Sequence, residues 1–161
     1  MMQMVHSRFN ALLSACVLSL IATAGWSQSI TWLGTLPRGN SSAAYAVSAD
    51  GVVVGMATYY DNISGNYYRR AFRWTASGGM QNLGTLGGTQ SEARGVSADG
   101  SVVVGWASNA AGLRRAFRWQ KGVMQDLGTL GVNFSGANGV SADGAVVVGE
   151  AENAADRKSV V

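Results

Sequence analysis

Short apolar runs, separated by glycine and small polar residues, recur along most of the chain. The clearest is VVVG, which follows Gly51, Ser101 and Ala145. Three β-branched residues without a polar interruption predict a strand that is buried on both faces. Each run comes just after an Asp-Gly pair, a strong hairpin signal because a type I′ turn requires positive φ at both central residues. No segment after Trp26 has helical periodicity over ten or more residues.

A second pattern is the period of two in the hexapeptide RRAFRW, which begins at Arg69 and again at Arg114. In a strand, it places the second arginine and both aromatic residues on one face, and the remaining three residues on the other. A further apolar piece leads into each SADG, as in ARGVS, and another follows each RRAFRW, as in MQNLG and MQDLG. Each unit therefore predicts four short strands.

These pieces recur in a fixed order, so the chain is built from repeats. SADG begins at Ser48, Ser97 and Ser141, and LGTL begins at Leu33, Leu83 and Leu127. Four strands in about 45 residues match a blade of a β-propeller, with a β-solenoid as the alternative repeat architecture. We therefore expect an all-β, β-propeller-like fold that is incomplete, with about two and a half units over residues 30–155. The leading segment ITWLGTL, from Ile30, is predicted to be a fourth-strand piece that completes a blade or, alternatively, caps the first unit.

The motifs AFRW, LGTLGG and VSADGSVVVG together resemble the bacterial extracellular repeat family called HAF, named for a His-Ala-Phe triplet. The resemblance covers Ile30 to Ala155. It implies export and a repeat fold, as found in secreted and autotransporter-type proteins, and it brings no activity and no catalytic residues. Arg70 and Arg115 precede Ala-Phe here, so no role of the family's histidine carries over.

Residues 1–24 have the pattern of a secretory signal peptide. A basic start is followed by an apolar run and by the small-residue pattern at Ala22 and Ala24. We expect cleavage after Ala24, or as late as Ser27, and hence a secreted or cell-surface protein. Two alternatives are an uncleaved anchor and a lipoprotein, because Leu13–Cys16 resembles a lipobox.

Cleavage would remove the single cysteine, Cys16, and the single histidine, His6. The mature chain would then have no disulfide, no thiolate or imidazole metal site and no His-dependent triad. At the other end, DRKSVV stands where a loop and another RRAFRW were expected. This hexapeptide can be encoded by a widely used sequencing-library adapter, so residues 156–161 are predicted to be a non-native tail, with a natural basic tail as the alternative.

Neither the net charge nor the carboxylates of the chain indicate a nucleic-acid-binding or metal-binding site. The formal charge is +3, from 12 basic and 9 acidic residues, which does not indicate a nucleic-acid partner. We interpret Asp50, Asp99 and Asp143 as turn residues, because a calcium ion needs six to eight oxygen ligands and the neighbours are Ala, Gly and Val. We expect no metal, no cofactor and no membrane span in the mature chain.

Ligand-binding candidates come from two features. The insertion YYDNISGNYY, interpreted as a variable loop, is rich in tyrosine, which binds with little loss of entropy. The arginine pairs could present a basic stripe to an anionic polysaccharide, or could keep an outward strand face soluble. Trp74 and Trp119 are predicted to lie in the core between units. The candidates are Tyr59, Tyr60, Tyr67, Tyr68, Arg69, Arg70, Arg114 and Arg115.

These observations favour an exported repeat protein that acts as a binding or surface-display module without catalytic activity. Its expected partner is a polysaccharide or another cell-surface component. The alternative is an extracellular carbohydrate-active enzyme, or an autotransporter passenger, whose active residues lie outside this sequence.

Overall fold

The part of the chain that the structure describes consists of β-strands and their connections, with no helix. The structure is a computed structural model that describes residues 29–153 and the backbone of a strand at residues 157–160. The strands in chain order are β1 Ser42–Val47, β2 Val53–Asp61, β3 Asn66–Thr75, β4 Gly79–Asn82, β5 Gly87–Val96, β6 Val102–Asn109, β7 Arg114–Gln120, β8 Val123–Asp126, β9 Ser135–Val140, β10 Val147–Glu152 and β11 Arg157–Val160. The predicted all-β class is therefore confirmed.

The strands form three antiparallel sheets in the order in which they occur along the chain. The first sheet contains β1 to β4, the second β5 to β8, and the third β9 to β11. The prediction of four strands per unit is confirmed for the first two sheets. Within the described residues, the three sheets do not close into a barrel or a ring.

The SADG segments form the tight connections between the first two strands of each sheet. In the second sheet, the Gly100 N–H donates to the Ser97 carbonyl at 2.9 Å, and the Ser97 N–H donates to the Val102 carbonyl at 2.9 Å. Gly100 has a φ of 66°, whereas neither Asp99 nor its two counterparts has a positive φ. The predicted type I′ turn is therefore wrong. Ala-Asp forms the middle of the turn and the left-handed glycine follows it. The hairpin loop has three residues in the first sheet, as in a three-residue hairpin with a bulge, and four in the second and third.

Successive SADG turns are hydrogen-bonded to one another, and we call this arrangement the turn ladder. The Asp50 N–H donates to the Ala98 carbonyl at 3.4 Å, and the Ala98 N–H donates to the Ala142 carbonyl at 2.9 Å. An arginine supports each step, because Arg73 of β3 donates through Nε to the Gly100 carbonyl at 3.0 Å. The equivalent arginine of β7, Arg118, donates through Nη2 to the Gly144 carbonyl of the third turn at 3.5 Å. The ladder therefore fixes each sheet to the next along one end of the strands.

The sheets also pack face to face. We call the face of a sheet that contacts the next sheet its forward face, and the opposite one its back face. One core cluster joins the forward face of the first sheet to the back face of the second, through Val52, Val54, Ala71, Val103, Phe117 and Trp119. A second cluster joins the second sheet to the third, through Val102, Val104, Ala116 and Ala137.

The aromatic and aliphatic residues of the second sheet are buried as the sequence predicts. Phe117 is fully buried and Trp119 is nearly so on the back face, which confirms the core position predicted for Trp119. The three valines from Val102 to Val104 are at most 1% exposed. They confirm the prediction of a strand buried on both faces, because this sheet lies between two others. Trp74 of β3 is half-buried beside the cluster formed by Leu36, Ala57 and Phe72.

The leading segment differs from its prediction. Residues 30–36 contain no strand, and the first strand begins at Ser42. In the first two sheets, the corresponding fourth strand pairs with a third strand, and no third strand precedes Ile30 in the described residues. The segment nevertheless packs against the first sheet, since Leu36 is 1% exposed and belongs to the same core cluster as Phe72.

The glycine that ends each VVVG is required by a close backbone approach. A Cβ atom built on Gly105 would lie 2.0 Å from the carbonyl oxygen of Glu92 on β5. The same approach occurs at Gly55 and Gly149, at 2.0 and 2.1 Å from carbonyl oxygens. Each site adjoins a register shift between the first two strands of its sheet. The glycine that recurs at the end of VVVG therefore marks the position of a β-bulge in every sheet.

Candidate functional site

The tyrosine-rich insertion is a β-hairpin rather than the loop expected from the sequence. Strands β2 and β3 continue through it, so that Tyr59 pairs with Tyr68 and Tyr60 with Tyr67. A turn between Asp61 and Asn66 closes the hairpin. Aromatic residues favour strands, so this composition already contained the signal for an extension of the two strands. We call residues 59–68 the tyrosine hairpin.

The turn of the tyrosine hairpin is held by Asp61. Its carboxylate accepts hydrogen bonds from the Ser64 hydroxyl at 2.7 Å and from the N–H groups of Ile63 and Ser64, both at 3.2 Å. The Ser64 hydroxyl, followed by the Ile63 N–H, lowers the pKa of Asp61 below its ordinary value. Gly65 adopts a φ of 71° at the end of the turn, which glycine does without steric cost.

The segment at residues 38–41 fixes the base of the tyrosine hairpin. The Thr58 hydroxyl accepts the N–H groups of Asn40 and Ser41, at 2.9 and 3.0 Å, and donates to the Asn40 side chain at 2.9 Å. Arg38 donates to the side-chain oxygen of Asn62 near the tip. The hairpin is therefore held at both its base and its tip, which pre-organises its side chains.

One face of the hairpin combines two tyrosines with an arginine. The Arg70 guanidinium lies 5.4 Å from the ring centre of Tyr59 and 5.7 Å from that of Tyr68. Burial lowers the pKa of Arg70, and the neighbouring tyrosines and Asp61 act in the opposite direction. Arginine nevertheless stays charged under ordinary conditions. We call Tyr59, Tyr68 and Arg70 the Tyr-Arg cluster.

The Tyr-Arg cluster has the chemistry of a site for a planar or anionic group. A guanidinium has five N–H donors, and Arg70 uses one nitrogen in a hydrogen bond of 3.4 Å to the Arg69 carbonyl. All three side chains are partly exposed. An anionic group could therefore bind the guanidinium edge while a sugar ring contacts a tyrosine face.

Two other tyrosines and one arginine point to the opposite face of the same hairpin. The rings of Tyr60 and Tyr67 are 5.1 Å apart at an angle of 56°. Tyr67 is half exposed, and Arg69 is exposed beside it in the strand alternation. The structure thus brings six candidate residues onto one hairpin and divides them between its two faces.

The second arginine pair has different surroundings, on β7 of the second sheet. The Arg114 guanidinium lies 4.4 Å from the ring centre of Trp106 and 4.9 Å from that of Phe134. Arg115 donates to the Val132 carbonyl at 3.4 Å. Arg114 is therefore packed between aromatic rings, in contrast to the exposed Arg69 at the same repeat position. The two RRAFRW copies do not present one continuous basic stripe.

The three repeat aspartates act as turn residues. The Asp99 carboxylate accepts the Ser97 hydroxyl at 2.6 Å and the Ser101 N–H at 3.0 Å. These bonds, the Ser97 hydroxyl first, lower the pKa of Asp99 to about 2. Asp143 has the same partners from its own turn, and its pKa is also lowered. Among the residues that the structure describes, no three side chains of the His, Cys, Asp or Glu type come together as metal ligands.

Sequence analysis missed a serine that links neighbouring sheets. Ser91 is fully buried; its hydroxyl accepts the Ala71 N–H at 2.9 Å and donates to the Gly84 carbonyl at 2.5 Å. Ser135 repeats both contacts, and Ser42 repeats the second one at 2.8 Å. Each serine stands six residues before the serine of SADG. That fixed spacing was the available signal.

Comparison of the chain with protein-family models, with characterised proteins and with solved structures finds no match. In the described residues, no helix has the length and apolar character needed to cross a bilayer. The signal peptide and the lipobox-like segment predicted from the sequence lie outside the described residues, as does cleavage at Ala24 or Ser27.

Proposed function

We propose that this protein is an exported, HAF-like bacterial repeat protein that acts as a binding or surface-display module without catalytic activity. Its contact site is the Tyr-Arg cluster on the tyrosine hairpin, and its ligand is an acidic polysaccharide of the cell surface. The observation that carries this proposal is the position of one partly exposed guanidinium close to two partly exposed tyrosine rings. The hydrogen bonds at both ends of the hairpin support it, since a pre-organised site loses less entropy on binding.

An acidic ligand is favoured over a neutral one by the charges around the cluster. Arg70 supplies a cation with unused N–H donors, and the exposed Arg69 adds a second positive charge on the opposite face of the same strand. Asp61 is the nearby carboxylate, and its oxygens already accept three hydrogen bonds within the turn. A uronic acid or a sulfated sugar would therefore meet donors at the guanidinium edge and an aromatic surface beside it.

The repeat architecture proposed for the whole protein is a propeller-like array, with a solenoid as the alternative. The face-to-face packing of successive sheets and the turn ladder support a repeating array. On the forward face of the third sheet, Val146 and Val148 are 45% and 43% exposed. Their counterparts in the second sheet are buried by the sheet that follows. In such an array the tyrosine hairpin would project from the edge opposite the turn ladder.

A glycan array with the intact protein tests the proposed function. We expect binding to acidic glycans, together with at least about a tenfold loss for Arg70→Gln and for Tyr68→Ala. Tyr45→Ala is the matched control, because Tyr45 is a half-exposed tyrosine of β1 outside the hairpin. Binding that is equal for neutral and acidic glycans would refute the anionic ligand. An array without any signal would refute the glycan-binding function.

A further inference from the structure

The tyrosine hairpin carries the same combination of side chains on both of its faces. Strand alternation places Tyr60, Tyr67 and Arg69 on the forward face of the first sheet. Ala71, two positions after Arg69, packs on that face in the core shared with the second sheet. The Tyr-Arg cluster lies on the back face. Each face therefore has a cross-strand tyrosine pair and one arginine of β3. We call Tyr60, Tyr67 and Arg69 the forward cluster.

The forward cluster extends beyond the second sheet, which is the neighbouring sheet on this side. Tyr59 occupies the repeat position of Asn109, where the corresponding hairpin of the second sheet begins its turn. The pair of Tyr60 and Tyr67 lies one step further along the strands, and the second sheet has no counterpart of this pair. Tyr67 is 54% exposed. The forward cluster is therefore accessible on a side where the neighbouring sheet belongs to the described residues.

The arginine of the forward cluster lacks the packing that its repeat counterpart has. The guanidinium of Arg114 lies close to two aromatic rings in the second sheet. The residues at the repeat positions of those rings are Met56 and Gln90 in the surroundings of Arg69. Neither is aromatic, so the packing that holds Arg114 is not repeated at Arg69, and Arg69 is exposed. Its guanidinium can therefore donate hydrogen bonds to an anionic group from solution.

The two faces of the hairpin require two separate segments of ligand. Side chains on opposite faces of a strand pair point in opposite directions, and a layer packed on either face lies about 10 Å from the backbone layer. An extended segment that contacts the Tyr-Arg cluster therefore lies on one side of the hairpin backbone and does not reach the forward cluster. A second segment is needed to occupy the other side.

We propose that the forward cluster is a second site for an acidic polysaccharide, so that one hairpin binds two polysaccharide chains and cross-links them. This inference rests on the proposed function, because it assigns the same class of ligand to the opposite face of the same hairpin. Arg69 donates to a carboxylate or sulfate group of the second chain, and the exposed ring of Tyr67 contacts a sugar face beside it. A protein with two such sites bridges chains that a protein with one site only decorates.

Two measurements on the full-length protein test this inference. Calorimetric titration with a short oligomer of a uronic acid counts the sites, and light scattering with a long linear polyuronate, in the presence of a chelator that excludes calcium, reports cross-linking. We expect two sites for the unmodified protein and one each for Arg69→Gln and Arg70→Gln. Either variant should lower the scattering increase at least about tenfold. Lys121→Gln is the matched control, because it removes the same charge from an exposed position between β7 and β8.

The possible failures separate this inference from the proposed function. A single site that Arg70→Gln removes and Arg69→Gln leaves unchanged would overturn the inference and leave the proposed function intact. Absence of any binding would refute the proposed function and the inference with it. Equal loss of scattering in Lys121→Gln would show that only net charge is recognised and would also overturn the inference. Both arginines are at least partly exposed, so the variants are expected to fold, and circular dichroism checks that they do.

Discussion

Two leucines at the same repeat position offer a direct test of the packing between sheets. Leu83 and Leu127 each begin an LGTL segment. The N–H of each leucine donates to the backbone carbonyl of the alanine in the preceding RRAFRW at 2.9 Å. They differ in burial, because Leu83 is 7% exposed in the core, whereas Leu127 is 42% exposed in an open groove that Ala116 of the second sheet and Val147 of the third also line. Leu83→Ala and Leu127→Ala therefore remove the same atoms from the same backbone context in two different environments.

The magnitudes follow from that difference in burial. Leu83→Ala loses the burial of its methyl groups and leaves a cavity, which together cost about 3 kcal/mol. Leu127 removes only about six-tenths as much of its surface from water, and no closed cavity forms where the groove opens to solvent. Its substitution should cost about 1 kcal/mol. For a chain of this size, these values correspond to losses of roughly 10 °C and 3 °C in Tm.

Thermal and urea denaturation, followed by far-UV circular dichroism, measure both variants beside the unmodified chain. Coincident transitions at two wavelengths establish that a two-state treatment is valid. Equal losses of stability for the two variants would refute the difference in packing between the two leucine sites. A larger loss for Leu127→Ala would show that the groove is closed in solution.

Three further substitutions test individual interactions. Gly105→Ala should cost more than about 2 kcal/mol in urea denaturation, because the added Cβ meets a carbonyl oxygen of β5 at 2.0 Å. Ser91→Ala leaves the buried Ala71 N–H and the partly buried Gly84 carbonyl without their partner and should cost about 1–3 kcal/mol by the same assay, whereas Ser77→Ala, at an exposed position, should be neutral. The pKa of Asp99 is lowered to about 2 by the Ser97 hydroxyl, so its contribution to stability is present above the ordinary aspartate pKa of about 4 and is lost as the pH falls through 2. Asp99→Asn should accordingly lower the Tm at pH 7 and have a much smaller effect below pH 2; an equal effect at both pH values would contradict the hydrogen-bond explanation.

Most of the strands could be predicted from the sequence, because the alternation of side chains along a strand and the residue types that favour strands are properties of short segments. The period of two in RRAFRW correctly placed Ala71 and Phe72 on opposite faces, and both are fully buried because neighbouring sheets cover both faces. The turn type was wrong because the side chain of Ser97 accepts the Val102 N–H at 3.0 Å. An Asp-Gly pair by itself contains no information about that bond.

The remaining features depend on contacts between repeats, which a pattern within one repeat does not specify. The contact of Arg73 with the carbonyl of Gly100 joins residues 27 positions apart, so the third arginine of RRAFRW had no visible partner in its own unit. The Tyr-Arg cluster was predicted as a set of candidate residues. The division of the six hairpin candidates between two faces, which groups Tyr59, Tyr68 and Arg70, followed only from the strand register of the hairpin.

The turn ladder has a consequence for the engineering of this protein. It fixes one end of every sheet, while the connections between the second and third strands lie at the opposite end. The first sheet already carries three extra residue pairs there, Tyr59 to Asp61 with Asn66 to Tyr68, beyond the segment that RRAFRW shares with the second sheet. Foreign peptides grafted between Asn109 and Leu113 would therefore be presented on a scaffold whose repeat spacing is set elsewhere.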